Sequence, residues 1–260
     1  MKTIVLLLSV IVLSGVSVLA QKQRQPATQK SREVLADFRR NHPARQYKIS
    51  NVTQRQVLSK LFRRYLTDEN RCNRDYSLND NDHLAAARRA GQIVPSVAEL
   101  VTGSFTAPGR SETAYVIYVN ECNASHADNY GSKRVAIFSG QELVADVDAD
   151  FKSSFVRKTD LNGDGVDELL MTGGDMNQGV LMEIASLVEF RNGRRRVIED
   201  FGTVVEDSCA SGFPGSSSKA SAISYSATEP GKMPKMHIDN YESPCRNTKR
   251  WKLVGTGKMQ

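Results

Sequence analysis

An acidic loop in the second half of the chain carries the residues best suited to bind a metal ion. Oxygen-bearing side chains recur at alternate positions of the run DLNGDGVDE, which spans residues 160–168. Hard cations such as Ca²⁺ take about six to eight oxygen ligands. Gly163 and Gly165 permit the sharp bends that a short loop around such an ion requires. The side chains that this spacing brings around one point are Asp160, Asn162, Asp164 and Glu168.

The loop is not an EF-hand, because its twelfth position is Met171 instead of a bidentate glutamate. It resembles instead the calcium loop of FG-GAP and VCBS-type repeats, the blades of integrin α-chain-like propellers. The family pattern D-x-[DN]-x-D-G-x-x-[DE]-L matches at every ligand position, and the resemblance covers Phe155 to Gly174. It implies one structural Ca²⁺ bound by the side chains of Asp160, Asn162, Asp164 and Glu168 and by the carbonyl of Val166.

A metal-free acidic turn is the alternative interpretation of the same residues. Asn-Gly and Asp-Gly dipeptides, which both occur between Asn162 and Gly165, are strong hairpin signals without any ion. Four correctly spaced oxygen ligands favour the metal site over the plain turn.

The elements that must position this loop are strands. From Phe105 onward apolar residues alternate with polar ones, which predicts a mainly β fold of repeated antiparallel meander units. The units span residues 105–147, 155–199 and 223–254 and resemble propeller blades. Three units are too few to close a propeller, which takes at least about four blades. We therefore expect an open array or one larger twisted sheet.

Short helices are predicted before the strands. Val34, Leu35 and Phe38 indicate an amphipathic helix within Ser31–Asn41. A capping box of Thr53 and Gln56 begins a second helix, and a third is predicted over His83–Ala90 with Asp82 as its cap and Gly91 as its stop. The predicted organisation is a basic helical segment, residues 31–95, followed by a β-repeat domain, residues 96–260.

The first twenty residues have the form of a secretory signal peptide. Lys2 precedes an apolar run from Ile4 to Leu13, and Val18-Leu19-Ala20 is a small-residue cleavage site. The run is too short for a membrane anchor, so no transmembrane segment is expected after cleavage. Residues 21–30 are polar and predict a disordered leader. The chain is therefore expected to be secreted or periplasmic.

The segment from Gln21 to Arg74 is strongly basic, with 14 Lys and Arg against 4 Asp and Glu. This surplus could contact an anionic surface, form the solvated faces of the helices, or dock on the acidic remainder of the chain. Aromatic residues do not interleave these charges as single-strand binding requires. Nucleic acid is therefore a disfavoured partner.

Four cysteines in an exported chain predict two disulfides. The sequence leaves three pairings open. Cys209 and Cys245 flank the third β unit, so we favour that pair, which leaves Cys72 with Cys122. A zinc site is poorly supported because no C-x-x-C pair is present.

Catalytic motifs are weak. Ser125, His126 and Asp128 are close neighbours in one stretch, which does not suit a triad. Two function classes remain open. The favoured one is a non-enzymatic calcium-binding module that presents loops to a protein or polymer partner. The other is an extracytoplasmic hydrolase with a structural calcium site and an unrecognised active site.

The export hypothesis predicts that protein recovered outside the cytoplasm begins at or near Gln21, because the small-residue site ends at Ala20. N-terminal sequencing of the exported protein checks this. Full-length protein found in the cytoplasm would remove the basis for both export and disulfide formation.

Overall fold

The computed structural model describes residues 32–40, 49–66, 83–121, 132–226, 229, 231–245 and 250–259. The signal peptide and leader predicted for residues 1–30 lie outside these ranges. Residues Ser31–Gln260 form one compact unit. This unit is mainly β and built of antiparallel meanders, as expected from the sequence.

Two α-helices and twelve strands make up the described part of the unit. They are β1 (Glu33–Asp37), α1 (Asn51–Leu61), α2 (His83–Ala90), β2 (Ile93–Gly103), β3 (Glu112–Glu121), β4 (Ser132–Ser139), β5 (Glu142–Asp148), β6 (Ser154–Thr159), β7 (Glu168–Asn177), β8 (Val180–Arg191), β9 (Arg194–Asp207), β10 (Ser217–Ser226), β11 (Lys235–Pro244) and β12 (Lys252–Thr256). Strands β2-β3-β4-β5 form a four-stranded sheet. Strands β12-β11-β10-β9-β8-β7-β6 form a second sheet, to which β1 adds by pairing with β10.

The four-stranded sheet is buried on both faces, and β3 shows how its sequence achieves this. Successive side chains of a strand point to opposite faces. Ala114 and Val116 pack in the core between the two sheets. Ile117 and Val119 pack on the opposite face, where they join α1 and α2 residues in a separate cluster. The helices therefore cover the side of this sheet that the other sheet leaves open.

Strand β7 contributes side chains to two cores, one on each side of the eight-stranded sheet. Leu169 and Met171 belong to the core between the sheets. Leu170 points the other way, into a cluster with residues of β1, β8, β9 and β10. All three side chains are 0 % exposed. The first six residues of β7 are buried, whereas residues 174–177 are exposed, so the firmly packed end of the strand is the one that follows the loop.

The helix predicted within Ser31–Asn41 is wrong, because this segment forms strand β1. It pairs antiparallel with β10, and an irregularity of register between Val34 and Ala36 interrupts the ladder. Leu35 and Ala36 are consequently both buried although they are adjacent. A bulge of this kind removes the period-two signal of a strand, so the apolar residues matched a helical pattern instead.

The other two helices agree with the sequence except at their caps. Helix α2 has the predicted bounds, and its predicted cap Asp82 lies outside the described residues. Helix α1 is capped by Ser50, whose Oγ accepts from Thr53 N at 3.1 Å. Thr53 is therefore inside the helix and is not its cap. The boundary predicted between residues 95 and 96 falls inside β2.

The predicted meander units occur, but they do not stack as equal blades. The first unit supplies only three strands of the four-stranded sheet, β3 to β5. The fourth strand, β2, lies before the predicted unit, and the strand predicted at Phe105 is wrong because this residue lies in the connection between β2 and β3. The second and third units continue into each other within the larger sheet. Phe138 and Phe190 hold similar places in the sequence pattern of units one and two. Phe138 nevertheless packs against the helices, and Phe190 packs in the core between the sheets. Local pattern predicted the hairpins, but not the face that each one buries.

The structure joins Cys209 to Cys245 by a disulfide, the pair favoured from the sequence. The sulfur atoms are 2.09 Å apart and the Cα atoms are 5.3 Å apart. The bond ties the connection between β9 and β10 to the segment just after β11. The other expected pair, Cys72 and Cys122, lies outside the described residues.

The placement of β1 predicts losses of different size for two adjacent substitutions. Leu35 is 2 % exposed and Val34 is 57 % exposed. Leu35→Ala should lower the free energy of unfolding by about 2–4 kcal/mol, because it empties part of the core. Val34→Ala should change it by less than about 1 kcal/mol. Denaturant unfolding measures both, and equal losses would support the amphipathic helix instead.

Candidate functional site

The loop between β6 and β7 is held in shape by its own first side chain. Asp160 Oδ1 accepts hydrogen bonds from Gly163 N at 2.8 Å and Asp164 N at 3.2 Å, and Oδ2 accepts from Gly165 N at 2.9 Å. These bonds require the backbone to fold around the carboxylate. Positive φ angles of 74° at Gly163 and 83° at Gly165 supply the bends.

Asp164 lies at the centre of the loop and has partners on both of its oxygens. Oδ1 accepts from Val166 N at 2.9 Å, while Oδ2 accepts from the Asn162 amide at 3.2 Å and from Arg191 of β8 at 2.5 Å. Partial burial acts to raise the pKa of Asp164, but these hydrogen bonds and the Arg191 charge outweigh it and hold the pKa below its usual value. Asp164 is therefore ionised at neutral pH.

Glu168 is the first residue of β7 and lies at the C-terminal end of the loop. Its side chain is 0 % exposed, and Oε2 accepts from Leu161 N at 2.7 Å. The other oxygen, Oε1, is buried and has no hydrogen-bond partner among the described residues. Burial raises the pKa of Glu168 to about 7, against the opposing effect of the Leu161 bond, and the charges of Asp164 and Asp160 add to the rise.

Other buried glutamates in the described part of the chain do not share this feature. Glu112, which is 1 % exposed, accepts from Phe105 N and Thr106 N on Oε2 and from the Thr106 hydroxyl on Oε1. Glu189, also 1 % exposed, forms ion pairs with Arg191 and Arg196. Glu168 is the one carboxylate among the described residues with an unpartnered buried oxygen.

Turns from both sheets meet at this loop. Gly231 N, in the connection between β10 and β11, donates to Asn162 O at 2.8 Å. A Cβ added to Gly165 would lie 3.0 Å from the Cβ of Pro108, in the connection between β2 and β3. The side chain of Asp167 turns away from the loop centre and accepts from Ser104 N at 2.8 Å. The loop therefore links the four-stranded sheet to the far half of the eight-stranded one.

The predicted metal ligands fall into one loop, although their present arrangement is not a closed cage. Among the described residues, no three His, Cys, Asp or Glu side chains stand close enough together to hold an ion. The oxygen of the Asn162 amide accepts from Asp164 N at 2.9 Å, and its nitrogen faces Asp164 Oδ2. Val166 is buried, and its N–H bonds to Asp164. To bind a cation here, the Asn162 side-chain amide would have to flip so that its oxygen faces the ion. The Asp164 carboxylate would have to bind both the ion and Arg191. The donors are all oxygens, which suits a hard cation such as Ca²⁺.

A cleft of about 680 Å³ opens beside the loop. Asn162 and Asp164 form the wall on the side of the loop, and Gly231 and Met233 contribute from the connection between β10 and β11. The remaining lining residues come from the hairpin of β8 and β9: Glu189, Arg191, Arg194, Arg195 and Arg196. This basic cluster was not predicted, although the run Arg194-Arg195-Arg196 after the Asn192-Gly193 turn is visible in the sequence.

Comparison of the chain with protein-family models, with curated proteins and with solved structures finds no match. The site must therefore be interpreted from its own geometry. Ser125, His126 and Asp128 lie outside the described residues. In the ranges that the structure describes, neither helix has the length and apolar character needed to cross a bilayer.

The burial of Glu168 predicts a pH dependence of stability in the presence of a chelator. The folded protein keeps this proton up to about pH 7, whereas the unfolded chain loses it near the ordinary value of 4.5. The folded state therefore binds more protons between these two values, so stability falls as the pH rises through them. The loss should reach up to about 3 kcal/mol.

Glu168→Gln is the matched variant for this measurement, because the amide mimics the protonated carboxyl group. The difference in unfolding free energy between the two proteins should change across pH 4.5 to 7 and level off above it, since Glu168 accounts for the difference. Denaturant unfolding at several pH values measures this difference. A constant difference over the whole range would contradict the raised pKa.

Proposed function

We propose that this protein is an exported calcium-binding β protein that acts as a binding or interaction module. The observation that carries the proposal is the buried Oε1 of Glu168, which has no hydrogen-bond partner in the described ranges and lies at the end of an acidic loop. A buried polar atom without a partner is costly, and the cost is larger for an ionised carboxylate. A bound cation would remove that cost.

The charges around the loop support a divalent ion. The charges of Asp160 and Asp164 raise the pKa of Glu168, which indicates that the three carboxylates repel one another. Arg191 offsets one of these charges through Asp164, and its side chain is 51 % exposed. Among the described residues, no other cation lies within ion-pair distance of these three carboxylates, so most of the loop charge is left for a metal. The proposed ligands are the side chains of Asp160, Asn162, Asp164 and Glu168 and the carbonyl of Val166.

The place of the loop in the fold supports an interaction role. The loop contacts Pro108 from one sheet and Gly231 from the other sheet. An ion in this loop would stiffen the end of the molecule where these turns meet. Turns held rigidly in this way form a preorganised surface, which reduces the entropic cost of binding a protein or polymer. Export is supported by the leader pattern of residues 1–20 and by the disulfide of Cys209 with Cys245.

Calcium should raise the melting temperature of the wild-type protein. An ion that binds only the folded state contributes about 2.7 kcal/mol at a hundredfold excess over its dissociation constant. For a unit of this size that corresponds to about 5–10 °C. Mg²⁺ should contribute less, because it prefers a smaller octahedral site and retains its water. Thermal unfolding in calcium, in magnesium and in chelator measures these shifts.

Variants of the loop separate a metal site from a general salt effect. Asp160→Asn and Glu168→Gln should lose most of the calcium-dependent shift, because each removes a charged ligand. Asp167→Asn is the matched control, since it removes one charge from the same loop at a side chain bonded to Ser104. It should keep the shift even if its melting temperature in chelator is lower. A wild-type protein indifferent to millimolar calcium would refute the proposed function.

A further inference from the structure

The cleft beside the loop carries a surplus of positive charge. Four arginines and two carboxylates line it, so its formal charge is +2. Its volume of about 680 Å³ is in the range of small-molecule sites, about 300–1,000 Å³. Arginine offers a planar, forked set of donors that matches the oxygens of carboxylate, sulfate and phosphate groups.

A buried carboxylate holds two of these arginines in place. Glu189 Oε1 lies 3.1 Å from Arg191 Nε and 2.5 Å from Arg196 Nε. The carboxylate is 1 % exposed, whereas the two arginine side chains are 51 % and 65 % exposed. Glu189 therefore holds the Nε edge of both guanidinium groups, while Nη2 of Arg191 is bonded to Asp164. Fixing the donors in advance reduces the entropic cost of binding a ligand.

The four arginines differ in how many hydrogen bonds and ion pairs they already form within the protein. Arg195 is committed to the β5–β6 connection, where it donates to Ala149 O at 3.2 Å and pairs with Asp150. Within the described part of the chain, the Nη groups of Arg196 have no hydrogen-bond partner. The exposed side chain of Arg194 has no partner there either. Arg194 and Arg196 thus supply the donors that a ligand could take up.

We infer that this cleft binds an oxyanion group of a small ligand, with Arg196 and Arg194 as the principal donors. Glu189 acts as the positioning residue for Arg196 and Arg191. A cationic or purely apolar ligand is disfavoured by the charge of the walls. The shared chemistry is a tetrahedral or planar oxyanion, as found in sulfate esters, phosphate esters and carboxylates.

The cleft is also linked to the acidic loop, and this part of the inference rests on the proposed function. Arg191 spans the two, because it bonds Glu189 on one side and Asp164 on the other. A calcium ion on Asp164 would add positive charge to the wall of the cleft and weaken the hold of Asp164 on Arg191. Calcium should therefore strengthen oxyanion binding, and by linkage the oxyanion should strengthen calcium binding to the same extent.

The first experiment tests the cleft without calcium. Sulfate stabilises most proteins by exclusion from their surfaces, so binding is followed directly, by NMR titration of backbone amide and arginine Nε–H signals in chelator at constant ionic strength. Signals around the cleft should shift saturably in the wild-type protein. Arg196→Gln and Arg194→Gln should each weaken sulfate binding by about tenfold, as expected for the loss of one charge-assisted hydrogen bond.

Arg55→Gln is the matched control, because it removes the same charge from an exposed position on α1. It should leave sulfate binding unchanged. If Arg196→Gln unfolds because Glu189 loses a partner, Arg194→Gln alone decides the outcome. Sulfate shifts that are absent, or that are equal in the wild type and Arg194→Gln, would overturn the inference. Parallel titrations with glucose 6-phosphate and acetate identify the preferred oxyanion.

The second experiment tests the linkage. Saturating calcium should raise the affinity for sulfate by about fivefold or more, a typical size for coupled sites. Arg191→Gln should reduce this coupling and tighten calcium binding, because a competing cation is removed. If calcium does not bind the wild-type protein, the proposed function fails while the sulfate result in chelator still stands. If both ligands bind without affecting each other, the linkage is overturned.

Discussion

Much of the site follows from the burial of β7 on both faces. Leu169 and Met171 are packed between the two sheets, and Leu170 is packed in the core on the other side. This arrangement leaves no position along the first half of the strand that could reach solvent. Glu168, the first residue of β7, is therefore drawn into the interior with the strand that follows it. Its burial is a consequence of the packing of its neighbours.

A carboxylate in such a place must be compensated, and buried glutamates elsewhere in the chain show how. Glu112 accepts hydrogen bonds on both oxygens and shapes the connection between β2 and β3. Glu99 of β2 accepts from Phe155 N of β6 at 2.8 Å and so joins the two sheets. Glu189 is compensated by two arginines. Among the described carboxylates, only Glu168 has a fully buried oxygen without a hydrogen-bond partner, and this difference singles out the loop.

The loop and the cleft form one electrostatic system. Asp164 belongs to the loop and to the wall of the cleft, and Arg191 is bonded to it. In the absence of a metal ion, the guanidinium partly balances the charge of the loop, and the carboxylate partly balances the charge of the cleft. A change of charge in the loop therefore changes the electrostatic potential in the cleft, and a change in the cleft acts on the loop in the same way. This shared ion pair is the physical reason why the two proposed ligands would be coupled.

The sequence by itself determined the local features. Short oxygen ligands and glycines at fixed spacing indicate the acidic loop, alternation indicates most strands, and His83–Ala90 has the caps and composition of a helix. The disulfide of Cys209 with Cys245 followed from the two cysteines flanking one unit. Each of these features depends on residues that are near one another along the chain.

The tertiary structure decided what depends on distant residues. Segment Glu33–Asp37 is a strand because β10, nearly two hundred residues away, supplies its hydrogen bonds, and a bulge hides its period. The arginines of the β8–β9 hairpin meet the acidic loop because β7 and β8 are neighbours in the sheet. The orphaned oxygen of Glu168 arises from packing on both sides of β7. Such contacts leave no periodic trace in the sequence, because they are made between faces and not along a strand.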